Sequence, residues 1–214
     1  MTQEELNTIL DAHEVWVNAK WTDISAKGKV VLENEVMYEL DFSGRNLSEI
    51  TFKHCDLSRS NFTECDLHGA TFEDTILAYA NFENCNLNYC VIERCDCTWT
   101  DFNHATFHHS RFNGAYFMCG CLASADFTDA VMEHTTFIHN NMIGTKFCNV
   151  DARDGRNWIA HPIIHQTDFT GMKLGNTTLC SFQPLTPISG TIGLDEDTDV
   201  PPDNNDENMI FGGD

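Results

Sequence analysis

The chain has 214 residues, 33 Asp and Glu against 12 Lys and Arg, a net charge of −21, and ten cysteines. No basic patch is available to meet phosphates, so direct binding to nucleic acid is excluded. No secretory leader and no long apolar run are visible, so a soluble, cytoplasmic chain with reduced thiols is expected.

The first element in chain order is a helix over residues 2–19. Thr2 and Glu5 are spaced as a capping box. Leu6, Ile9, Leu10, His13, Trp16 and Val17 then fall on one helical face. The rest of the helix is acidic, which argues against a membrane-surface role. Residues 1–24 are therefore expected to cap whatever core follows.

From Phe42 to Phe147 every fifth residue is apolar, 22 positions in unbroken register, and only Cys97 among them is small. Two residues before each of these centres lies a mostly small position, such as Cys65, Ala70 or Ala125. The residue just before the centre is often Asp or Asn, as at Asp41, Asn61, Asp66, Asn81, Asp101 and Asp126. Neither an α-helix nor a flat strand repeats at five residues, so this region is a repeat array.

Units such as Cys65-Asp66-Leu67-His68-Gly69 resemble the pentapeptide-repeat family, whose unit is A(D/N)LXX. The resemblance implies an all-β fold: a right-handed quadrilateral parallel β-helix, four units per coil, with an N-terminal capping α-helix. At 20 residues per coil, residues 40–151 make five to six coils, roughly 27 Å of rod at the strand spacing. Val30, Leu32 and Met37 before the array, and Phe169, Leu174 and Leu179 after it, extend the β-helix to residues 25–182.

The register breaks after Phe147, and the next clear centre, Phe169, is out of frame by two. Residues 151–166, with Arg153, Arg156, Trp158, His161, Pro162 and His165, read as a loop projecting from the rod, a common place for function. Residues 183–214 are acidic, lack Lys and Arg, and have the composition of a disordered tail.

Cys55, Cys65, Cys85, Cys90 and Cys95 occupy the small inward position and Cys97 a centre, so they read as core residues. No cysteine or histidine spacing matches a zinc site, and no nucleophile–base constellation or phosphate loop is present. No metal, no cofactor and no catalytic residue is expected.

Residues 20 apart share a wall of the β-helix. One wall exposes Ile76, Tyr79, Trp99, Tyr116, Met118 and Ile138, an apolar surface of the kind that marks a partner or homodimer interface. Another carries Glu73, Asp74, Glu93 and Glu133 and is the expected phosphate-mimicking stripe, although Lys53, Arg94 and Arg111 interrupt it. The family resemblance implies a non-catalytic protein that mimics duplex DNA and binds a DNA-handling enzyme: DNA gyrase or topoisomerase IV, as inhibitor or protector, or another host or defence enzyme. The alternative is a scaffolding module that assembles through its aromatic wall.

Overall fold

A five-residue beat folds only if the chain turns a corner after each centre. The residue two after nearly every centre lies in the left-handed region, from Asn34 (φ 59°) through Tyr79 (φ 61°) to Gln166 (φ 57°). Each such residue ends one short wall and starts the next. The computed structural model describes residues 1–19 and 29–180; the acidic tail and the linker after the helix lie outside the described residues.

Helix α1 spans Gln3–Ala19. Strands β1 (Val31–Glu33), β2 (Thr51–Lys53), β3 (Thr71–Glu73), β4 (Val91–Glu93), β5 (Arg111–Asn113) and β7 (Val131–Glu133) stack in parallel as the first wall. Strands β6 (Tyr116–Met118), β8 (Thr136–Ile138), β9 (Trp158–Ala160) and β10 (Thr178–Cys180) form the C-terminal part of the second wall. Single parallel bridges extend the second wall and build the third and fourth, for example Asp41↔Asn61↔Asn81↔Asp101 on the third. This is the four-sided parallel β-helix implied above, with about eight rungs on its first two walls. At roughly 4.8 Å per rung the rod is about 34 Å long.

The centres fill the interior as columns. On the third wall Phe42, Phe62, Phe82 and Phe102 stack with centroids 4.3, 4.5 and 5.0 Å apart. On the fourth, Phe107, Phe127, Phe147 and Phe169 do the same at 4.6, 5.0 and 5.3 Å. Neighbouring columns meet edge to face, as Phe52 and Phe62 do at 86°. Both geometries suit the aromatic quadrupole.

The small inward position does more than fit. At several of these positions a donor reaches the carbonyl of a centre in the preceding coil. Ser60 Oγ donates to Met37 O (2.6 Å), Thr100 Oγ1 to Leu77 O (2.9 Å) and Ser110 Oγ to Leu87 O (2.7 Å). Cys65 and Cys85 use their thiols in the same way, toward Phe42 O and Phe62 O. All ten cysteines are free. Burial pushes the Cys90 and Cys95 thiols up to about 12. The hydrogen bond it shares with Cys65, followed by burial, raises that of Cys85.

The Asp or Asn before each centre has a local task. Its Oδ1 accepts the backbone N–H two residues on: Asp56 from Ser58 (2.9 Å), Asn81 from Glu83 (2.8 Å), Asp101 from Asn103 (2.9 Å). These are Asx turns, and they hold the chain at the corner.

Helix α1 closes the N-terminal end. Glu5 N donates to Thr2 Oγ1 and Thr2 N to Glu5 Oε2, completing the capping box. Leu6, Leu10, His13 and Val17 are buried against the first coil. The Gln3 side chain exchanges two hydrogen bonds with the Asp41 backbone, and Arg45 reaches up to Asp11 and Glu14.

Residues 151–166 are not one projecting loop. Ala152 is a buried centre, and the next centre is Ile159, in β9 and paired with Phe137. The step is seven residues rather than five, so the insertion is two residues, accommodated between Arg153 and Arg156. Asn157 and Thr167 then occupy the inward donor position, bonding Met132 O and Met142 O 25 residues back instead of 23. Gly155 lies within this insertion in the left-handed region (φ 78°); a Cβ there would lie 2.7 Å from His134 N.

Candidate functional site

With nearly every centre and most inward residues buried, chemistry is left to three outward positions per unit on four walls. Among the described residues no group of three or more His, Cys, Asp and Glu is arranged to hold a metal ion. A shallow open groove lies between the end of α1 and the fourth wall, lined by Val17, Ser48, Glu49, Asp66 and His68. No helix among the described residues is long and apolar enough to cross a membrane.

The expected acidic stripe on the first wall is assembled as a cation-paired network. Lys53 Nζ is 3.2 Å from Glu73, and Arg111 is 3.7 Å from Glu133. Arg94 sits among three acids, at 2.7 Å from Asp74, 3.2 Å from Glu73, and in contact with Glu93. The Arg94 guanidinium lowers the Asp74 carboxyl and is itself raised by it. The four predicted acids do lie on one wall, but it is not an uninterrupted negative face. The reason is geometric: a side chain 20 or 21 residues away is one rung away, so Arg94 reaches Asp74 and Glu73.

Arg153 is likewise paired, with Asp151 at 2.6 Å, and that bond draws Asp151 down to about 2. Arg156 lies by its backbone against His134, whereas Trp158 opens β9 on the second wall. The three predicted loop residues therefore do not converge.

The uninterrupted negative face is the third wall. Its outward residues include Asp41, Glu64, Glu83 and Asp101 and, among the described residues, no Lys or Arg. Glu49 and Asp66 of the adjoining fourth wall continue it. The charge is also graded along the rod: described residues up to 110 hold eighteen acids and five Lys or Arg, and residues 111–180 six and five. The sequence signal for this face was available, since sorting Lys and Arg by the 20-residue register leaves one wall without them.

Acids in the column before the centres never stack on acids. Asp41 is followed by Asn61 and Asn81 before Asp101; Asp66 is followed by Asn86 and Thr106 before Asp126. The intervening amides bond the carboxylates, Asn61 to Asp41 (3.1 Å) and Asn86 to Asp66 (2.9 Å). Asp126 is bonded by Thr128, Lys146 and His108, which overcome the upward push of burial and hold it at about 2.

The apolar residues predicted for the second wall do lie there. Ile76, Tyr79 and Trp99 are 44%, 54% and 52% exposed, while Tyr116, Met118 and Ile138 are half-buried. Tyr79 and Trp99 stack with planes 4° apart, and the Arg59 guanidinium lies 5.5 Å from the Tyr79 ring. Val36, Tyr38 and Trp158 extend this surface. Tyr79 and Trp99 both occupy left-handed backbone positions, where bulky side chains are unfavourable.

The fold and its surfaces define a solenoid of five-residue units that presents walls rather than a cleft. A model described as a pentapeptide repeat region matches residues 29–97 and 45–120, and a model of pentapeptide repeats (8 copies) matches residues 122–151. The chain belongs to the pentapeptide-repeat family. It is similar to HetL, a pentapeptide repeat protein involved in heterocyst differentiation regulation from the cyanobacterium Nostoc sp. Strain PCC 7120, at 14% identity, over 70% of this chain and 84% of that one, with a TM-score of 0.58. That likeness shows the fold. Full-length QnrB1, a plasmid-mediated fluoroquinolone resistance protein, is 20% identical over 70% of this chain and 84% of that one, with a TM-score of 0.43. A pentapeptide repeat protein from the Arabidopsis thaliana thylakoid lumen is 26% identical over 45% of this chain and 68% of that one, with a TM-score of 0.33. No curated protein matches the sequence.

Proposed function

We propose that this protein is a non-catalytic binding rod whose acidic N-terminal half occupies the nucleic-acid cleft of a DNA-handling enzyme. The observation that carries this reading is the third wall, with Asp41, Glu64, Glu83 and Asp101 and no cation among them. These four charges fall one to a rung on four successive rungs, about one per 5 Å, against one per 3.4 Å along a single DNA strand. The face is thus a sparse mimic of one strand, held rigid by the Phe columns. A cleft lined with Lys and Arg would meet it, with affinity that falls as salt rises. The family resemblance makes DNA gyrase and topoisomerase IV the first enzymes to test. Supercoiling by gyrase and decatenation by topoisomerase IV, each titrated with the full chain with and without a quinolone, should change at micromolar protein or below. Unchanged activity of both enzymes, alone and with the drug, would remove them as partners.

A further inference from the structure

The second wall carries six of the eleven large apolar residues that stand exposed among those described, and two carboxylates set between them. Asp56 and Asp96 each give Oδ1 to an Asx turn, from the backbone of Ser58 and Thr98 at 2.9 Å. On other walls an acid in this column is also bonded from the next rung, as Asp41 is by Asn61 and Asp126 by Lys146. Here the next rungs offer only Val36 and Ile76 to Asp56, and Ile76 and Tyr116 to Asp96. An occupant that covered this face without supplying donors would strand both charges.

Suitable donors stand on the same wall, across its width. In the left-handed corner column Arg59 lies on the rung of Asp56, and Trp99, with its indole N–H, on the rung of Asp96. A second copy related by a two-fold axis parallel to the rod lays one column over the other, rung for rung. Arg59 of each copy then meets Asp56 of the other, Trp99 meets Asp96, and Tyr79 meets Ile76. Ser58, Ala78 and Thr98, between the two columns, are small and let the walls close. The alternative two-fold, across the rod, lays each column on itself. The column before the centres holds no Lys or Arg on this wall among the described residues. That arrangement therefore sets Asp56 and Asp96 against acids or neutral side chains in every register.

We propose that the occupant is a second copy of this chain: a side-by-side dimer through the second wall, rods parallel, with the Arg59–Asp56 ion pair made twice about the axis. The face suits a highly charged chain, because from the Leu77 rung onward Asp96 is its only acid and it has no Lys or Arg among the described residues. The area is that of a weak, micromolar dimer. Tyr38, Tyr79, Trp99 and Trp158 are 45%, 54%, 52% and 39% exposed. At those fractions of about 150–250 Å² each, they offer roughly 300–500 Å² per copy, about half of the ~800 Å² that a specific complex takes from each partner. Val36, Ile76 and Arg59 add to it. The axis leaves the two third walls on opposite flanks of the dimer, so the proposal is independent of what binds them.

Sedimentation equilibrium of the full chain tests this. The natural chain should approach twice the chain mass at high micromolar concentration. Asp56→Arg and Arg59→Asp should each weaken the dimer by roughly tenfold or more, because each sets like charges across the axis. The fold accepts both changes: Arg111 and Lys146 occupy the position of Asp56 on other walls, and Glu39 and Glu64 that of Arg59. An equimolar mixture of the two variants should dimerise again, since every pair across the axis is then of opposite charge. A monomeric natural chain, variants that each dimerise as tightly as the natural chain, or a mixture that stays monomeric would overturn the proposal. A second measurement needs no charge change. p-Benzoylphenylalanine in place of Ala78 should photo-cross-link two copies at the rungs of Leu57, Leu77 and Cys97, and adducts confined to one chain or to another wall would overturn the dimer.

Discussion

Replacing Asn81 by Asp tests how the rod tolerates its own charge. Asn81 is flanked one rung away by Asn61 and Asp101, and its Oδ1 accepts the Glu83 backbone N–H. A carboxylate keeps that acceptor and its shape, so the Asx turn survives and only charge is added. The new carboxylate stands about 5 Å from Asp101, where two like charges repel by roughly 1 kcal/mol in water and roughly 3 kcal/mol at a protein surface. Both positions are half-buried, so a loss of about 1–2 kcal/mol is expected at low salt. The same change at Asn141, flanked by Cys121 and Ile163, adds a charge beside no acid and should be close to neutral. The assay is urea denaturation of both variants at 20 mM and 1 M NaCl. The Asn81→Asp deficit should shrink sharply at 1 M, where the screening length is about 3 Å. A deficit that ignores salt, or an equal deficit at Asn141, would refute the claim that acid and amide alternate to space charge.

Other outcomes follow from the same geometry. Thr100→Val removes the buried donor to Leu77 O and should cost about 1–2 kcal/mol by denaturant midpoint, whereas Thr100→Ser should retain most of the stability. Asp126 is held at about 2, below its unfolded value. Its contribution is therefore complete above about pH 4 and lost as pH falls toward 2, and Asp126→Asn should flatten that part of a stability–pH profile. Arg94→Gln removes the cation shared by Glu73, Asp74 and Glu93 on the first wall, leaves Glu73 with Lys53, and should leave retention of a third-wall partner unchanged.

The core was legible in the sequence because the five-residue beat is direct: Phe42 to Phe147 are all buried at their expected positions. The last turns were not, because a two-residue insertion coincides with atypical inward residues. Asn157 and Pro162 stand where Ala or Cys is usual, and Ala152 is a small centre, so Ile159 and Ile164 were hidden inside an apparent loop. Smallness was visible at Ser60 and Thr100, but their donor role needs the coil beneath, 23 residues back. The acidic stripe lies on the wall expected for it, and the pairing within it was hidden for a related reason. Glu73 and Asp74 look like adjacent charges in sequence, yet their partner Arg94 is one rung away in space. The Asp residues before the centres combine two roles, turn acceptor and surface charge, and only the second bears on a partner.

The central claim is that the third wall stands in for nucleic acid. The full chain, immobilised at low salt, should retain proteins that duplex DNA then displaces. The variant Asp41→Asn, Glu64→Gln, Glu83→Gln, Asp101→Asn keeps the Asx turns and removes four charges, and it should retain far less of them. Retention that duplex DNA does not displace, or that survives loss of all four charges, would contradict the account.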